Sequence, residues 1–271
     1  MYSSTVQSGM TPTVVACASA LLVLALAPAP ANAQDADPKW GFAAGAEFVS
    51  GEYGGDESVD EWYVPLTTWV DVGRVSFRVT VPYLSVDAPS GTIIEGPGGQ
   101  PIIGDGPRTT ESGLGDIVAA MTVRDVLTAM EGDLALDLTG KVKLGTADED
   151  KGLGSGETDY TVQADLLRFF PQFTAVASIG YVFRGDPDDY ELDDGLLVML
   201  GGTWFIGNAR SLGLFMEYRE ASFLDNDDRL EATGYFGWSI RQGWRGSVYL
   251  ITGLSDSSPD FGGGVSIRTA F

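Results

Sequence analysis

The chain has 271 residues, with 16 basic and 38 acidic side chains, a formal charge of −22, one cysteine and no histidine. So acidic a chain is a poor partner for phosphate backbones, which excludes nucleic acid as a partner. Without histidine there is no Ser-His-Asp or Cys-His chemistry and no His-ligated metal, so neither an enzymatic role nor a cofactor or metal is expected; paired carboxylates remain the one acid–base route.

Residues 1–33 have the layout of a secretory signal. An apolar run from Val14 to Ala27 precedes Ala31-Asn32-Ala33, an A-x-A cleavage site that makes Gln34 the mature N-terminus. The segment departs from the usual pattern in having no Lys or Arg. Its run is too short to cross about 30 Å of hydrocarbon as an anchor. Cys17 lies inside it, so the mature chain, 34–271, has no thiol and forms no disulfide. Stability must come from elsewhere, and closing a sheet into a barrel provides it by pairing every strand edge.

After residue 33 no apolar run approaches the ~18 residues of a transmembrane helix. Period-two alternation recurs instead, which is how barrel strands read. It predicts twelve strands, near 40–50, 61–71, 74–84, 113–125, 133–145, 158–169, 173–184, 195–206, 211–222, 229–241, 244–254 and 262–271. Connections after even-numbered strands are mostly short, as at Val72-Gly73, Phe170-Pro171-Gln172 and Gln242-Gly243, with 126–132 the exception. Those after odd-numbered strands are mostly longer and acidic, and 85–112 is the longest. Short periplasmic turns, long outer loops and an even strand number describe an all-β, single antiparallel up-and-down transmembrane barrel. The acidic loop clusters, such as Asp148-Glu149-Asp150 and Asp193-Asp194, read as solvated outer surface or as irregular divalent-cation sites; none fits the EF-hand loop.

Strand phase assigns the faces. Leu134, Leu136, Leu138, Val142 and Leu144 oppose Asp133, Asp137, Thr139, Lys141 and Lys143, and the other strands divide similarly. The apolar sets must face lipid. The polar sets then line the lumen: Glu47, Arg78, Asp116, Arg124, Asp137, Lys141, Lys143, Asp165, Glu217, Arg219, Glu231 and Arg268. They either pair into a ladder that fills a narrow barrel or line a water-filled path and set its selectivity. An acidic mouth before a lumen of mixed charge favours cations or neutral solutes over anions. Trp40, Trp62, Tyr63, Tyr83, Tyr160, Phe169, Phe170, Tyr181, Phe183, Trp204 and Trp244 lie near strand ends and read as interfacial girdles. In the last strand Val265, Ile267, Thr269 and Phe271 share one face, and the terminal aromatic resembles the C-terminal signature of bacterial outer-membrane barrels.

Several stretches resemble the outer-membrane family named for the MetA pathway of phenol degradation. They are Ser112-Gly113-Leu114-Gly115-Asp116, Lys143-Leu144-Gly145-Thr146, the run from Asp148 to Gly156 leading into Thr158-Asp159-Tyr160, and Gly180-Tyr181 with Arg184-Gly185-Asp186. The match is clearest over 110–190. The resemblance implies an outer-membrane transporter-like barrel for hydrophobic or aromatic compounds and supplies no catalytic residues.

The resulting expectation is an outer-membrane channel or transporter for small molecules by passive diffusion. Its partners are outer-membrane lipid, the solute, and the barrel-assembly machinery through Phe271. The alternative is a structural or surface-interaction barrel with a plugged lumen and acidic cation-binding loops.

Overall fold

A computed structural model describes residues 14–16, 38–53, 57–89, 93–95, 101–103, 107–127, 133–187, 191–207, 209–223 and 227–271. Its alternating segments form twelve antiparallel strands. They are β1 (Lys39–Gly51), β2 (Val59–Val72), β3 (Val75–Ala88), β4 in two segments (Thr109–Leu114 and Ile117–Val123), β5 (Leu134–Leu144), β6 (Asp159–Phe170), β7 (Phe173–Phe183), β8 (Gly195–Ile206), β9 (Arg210–Arg219), β10 (Arg229–Arg241), β11 (Trp244–Gly253) and β12 (Phe261–Ala270). Each strand pairs with the next, and β12 pairs with β1 from Phe261 opposite Ser50 to Ala270 opposite Gly41. The sheet is therefore a closed barrel with no free edge.

The expected boundaries hold within a few residues except around the long third connection. There β3 runs on to Ala88 and β4 begins at Thr109, so strand takes up both ends of the expected 85–112 loop. The two segments of β4 both pair with β3, Leu84 with Gly113 and Thr80 with Val118. Gly115-Asp116 is the interruption between them, a bulge that resets the alternation of side chains. Apart from the barrel, Val14–Ala16 pairs with Ile93–Glu95, which pairs with Pro101–Ile103. No helix among the described residues is long and apolar enough to cross a membrane.

The exterior has the chemistry expected of a lipid face. Leu200, Ile179, Leu214, Val265 and Leu250 all point outward, Leu250 with 74% of its surface exposed. No water-soluble sheet leaves such rows uncovered on every strand. Aromatic residues gather at both rims. Phe48 packs against Trp62 and Phe261 at the loop end, and Phe173 stacks with Phe170 and packs against Trp204 at the turn end. Two expected girdle members do not belong to it. Tyr63 is 3% exposed and shares the inward parity of Glu61 and Thr67, and Phe169 shares that of Asp165 and Leu167. Position near a strand end does not fix the face; parity does.

Leu200 sits at the middle of β8 on the lipid face. Leu200→Arg is expected to destabilise the barrel by about 2–4 kcal/mol, read as a lower urea midpoint in lipid vesicles, whereas Leu200→Phe should leave it nearly unchanged.

Candidate functional site: the barrel lumen

All twelve polar positions expected inside lie on the inward-facing register. Arg268, Ala43, Thr67, Thr80, Val118, Lys143 and Asp159 follow one another across β12, β1, β2, β3, β4, β5 and β6, and the remaining positions keep the same parity along each strand. The lumen also holds charges that lie outside the expected set: Glu61, Asp71, Asp159, Arg229 and Arg245. Each sits near a strand end, two or more residues beyond the positions whose phase is plainest. Simple continuation of parity reaches them all.

The structure does not bring the twelve into a single site. It divides them between an outer half, toward the long loops, and an inner half, toward the short turns.

The outer half is densely packed. Val49, Val59, Leu84, Val86 and Ile251 form an inward apolar cluster, joined by Tyr53 and Leu153 from outer loops. Leu84 and Leu153 are fully buried. Glu47, 1% exposed, accepts a hydrogen bond from the Tyr249 hydroxyl at 2.7 Å. Beside this cluster Lys143 donates to Ser155 at 3.0 Å and pairs with Asp159 at 2.9 Å and Asp116 at 3.3 Å. Asp116 also accepts the backbone N–H groups of Thr146 (2.9 Å) and Ala147 (2.8 Å). One ammonium thus ties the β4 bulge, β6 and the loop after β5 together, and the loop carries Leu153 into the barrel. Further round, Glu217 faces Glu231 and Arg219 faces Arg229 across β9 and β10. Like charges so placed repel. The strands resolve this lengthwise: Arg219 donates to Glu217 at 2.9 Å, and Arg229 to Glu231.

Midway, Lys141 donates to Gln163 at 2.8 Å, and Asp165 accepts from Gln163 at 2.7 Å and from Ser178 at 2.5 Å. Tyr235 meets Thr203 at 2.8 Å, and its ring occupies the space over Gly213, where a Cβ would collide with it. In the inner half Ala43, Thr174, Val176 and Ser211 are buried, whereas Arg78, Arg124, Arg245 and Arg268 keep part of their surface exposed. Arg124 pairs with Asp71 at 2.7 Å, and Asp137 accepts the Asp125 backbone N–H at 2.8 Å. Arg245 and Arg268 face each other across β11 and β12. Among the described residues no carboxylate lies within 4.0 Å of Arg78, Lys141 or Arg245, so the ion-pair ladder is incomplete. No group of three or more metal-ligating side chains occurs among the described residues.

A closed sheet, an apolar outer belt and a charged interior define a transmembrane β-barrel of the outer-membrane type. The model of the family described as "Putative MetA-pathway of phenol degradation" matches residues 51–270, and the chain belongs to that family. An outer membrane channel from Pseudomonas putida F1 has the same fold, with 13% identity, a TM-score of 0.70, and coverage of 91% of this chain and all of that one. The KdgM porin aligns at 8% identity and a TM-score of 0.52 over 85% of this chain and 99% of that one. No curated protein sequence matches the chain.

Lys143→Met would leave Asp116 and Asp159 buried without their cation. It is expected to cost about 3–5 kcal/mol, seen as a lower denaturation midpoint and faster proteolysis within 145–157. The combined variant Asp116→Asn, Lys143→Met, Asp159→Asn should recover most of the loss, because it buries no uncompensated charge.

Proposed function

We propose that this protein is a passive outer-membrane channel for small molecules, with its conducting path lined by the lumen charges. The observation that carries the reading is the incomplete pairing inside. Among the described residues Arg78, Lys141 and Arg245 have no carboxylate within 4.0 Å, and they keep part of their surface exposed. A charge in a barrel is tolerable when paired or hydrated. Cations without such partners call for water, which supports a hydrated path beside them. A fully plugged structural barrel would instead complete its ladder.

One observation favours the second reading, of a closed lumen, and limits the first. The buried cluster of Val49, Val59, Leu84 and Leu153 occupies the outer half, so the path through it is narrow. Twelve strands make a barrel wider than the side-chain-filled eight-stranded kind and narrower than the sixteen-stranded porins. Family membership supports hydrophobic or aromatic compounds as solutes. In the same reading residues 1–33 are the cleaved export signal. Phe271, 78% exposed with its backbone N–H donating to Trp40 O at 2.8 Å, is the element offered to the barrel-assembly machinery.

Planar-bilayer recording of the refolded mature protein tests the proposal. Small, ohmic steps are expected. The double variant Leu84→Ala, Leu153→Ala removes bulk from the narrow outer path and should raise the unit conductance severalfold. A correctly folded, heat-modifiable barrel that stays silent in both forms overturns the channel and favours the plug.

A further inference from the structure

The inner half of the lumen segregates its charge in a way the net acidity of the chain conceals. Arg245 and Arg268 are register partners on adjacent strands. Such an arrangement is repulsive and is disfavoured in a sheet unless something offsets it. Arg78 on β3 lies within the electrostatic reach of both Arg268 and Arg124. The basic side chains therefore form an arc running from β11 and β12, past β1 and β2, to β3 and β4. Asp71 on that arc is engaged by Arg124. Asp137 stands on β5 within electrostatic reach of Arg124 at the end of the arc, and Asp165 stands one strand further on β6; their oxygens accept from Asp125, Gln163 and Ser178.

Within the arc lies an aromatic surface. Trp69 is the direct register partner of Arg78 across β2 and β3. Its indole reaches sideways over Gly41 on β1, where any Cβ would collide with the ring. Gly41 in turn faces Ala270 on β12, two residues from Arg268. The indole thus lies over the wall at Gly41, between the Arg78 side and the Arg245–Arg268 side of the arc, and it is only partly buried. Flat rings offer a stacking face, and guanidinium groups offer paired donors that match a carboxylate.

We infer that Arg78, Arg245, Arg268 and Trp69 form a binding step for planar aromatic carboxylates in the inner half of the lumen. The guanidinium groups take the carboxylate and the indole takes the ring. This rests on the channel reading and makes it specific: the lumen selects for anions although the outer loops are acidic. A carboxylate adds a charge-assisted contact that a neutral analogue lacks, so the arc holds it more firmly.

The test is block of single-channel current by benzoate, with benzyl alcohol as the neutral ring and acetate as the carboxylate without one. Benzoate is expected to block at concentrations roughly tenfold or more below either control, as befits a charge-assisted contact added to a stacking one. The reversal potential in a KCl gradient should show anion preference. The double variant Arg245→Gln, Arg268→Gln should lose both properties, and Trp69→Leu should lose the discrimination between benzoate and acetate while keeping anion preference. Heat-modifiability on gels verifies that each variant is folded. Equal block by benzoate and benzyl alcohol, or cation preference in the unmodified protein, overturns the inference and leaves the channel standing. If the folded protein passes no current, calorimetric titration of benzoate into the detergent-refolded barrel decides the site separately. Binding that the double variant abolishes supports the inference while the channel reading falls; absence of binding overturns both.

Discussion

In hydrocarbon an unpaired backbone N–H or C=O has no water to fall back on, and each one left open costs several kcal/mol. A sheet can meet that condition only by returning on itself. Here the return is the ten-residue ladder between β12 and β1. Everything else follows from that seam. It forces every strand to alternate between lipid and lumen and turns two-residue periodicity into a two-sided wall. It also sets the charged side chains of the whole chain against one another in one confined space.

That confinement explains why the interior solves its electrostatics differently at its two ends. In the outer half the walls come close enough for packing, so buried charges are held by partners close at hand. Lys143 takes two carboxylates, and the Glu217–Arg219 and Arg229–Glu231 pairs run along their strands because the cross-strand neighbours are of like sign. In the inner half Arg78 and Arg245 have no carboxylate within 4.0 Å among the described residues, although Asp71 lies within electrostatic reach of Arg78. The same residue types therefore act as structural ties in the outer half and stay partly exposed in the inner half.

Most of the fold was legible because a strand that must face lipid on one side and charge on the other cannot hide its phase. The stretch from Leu134 to Leu144 declares both faces in eleven residues. What escaped was whatever local phase does not encode. Tyr63 and Phe169 looked like girdle residues by their place near strand ends, yet each keeps the inward parity of its neighbours. Glu61, Asp71 and Arg245 were missed for the opposite reason, since they sit at the strand margins where alternation gives way to turns. The apolar packing of the outer half of the lumen was not legible at all. It depends on loop residues such as Leu153 and Tyr53 folding inward, a tertiary contact without a periodic trace.

The bulge at Gly115-Asp116 has an effect well beyond its own two residues. Below it β4 places Val118, Ala120 and Thr122 inward, all even-numbered; above it Glu111 and Gly113 face in, both odd-numbered. The extra residue is a phase shifter, and it lets one strand serve two registers. Deleting a single residue there would not shorten a loop. It would set every side chain from Thr109 to Leu114 on the wrong face, turning Leu114 into the lumen and Glu111 into lipid. Insertions and deletions that outer loops absorb are therefore forbidden at this point of the wall, and in any lineage of this barrel the length of the chain between Leu84's partner and Thr80's partner is held fixed by geometry alone.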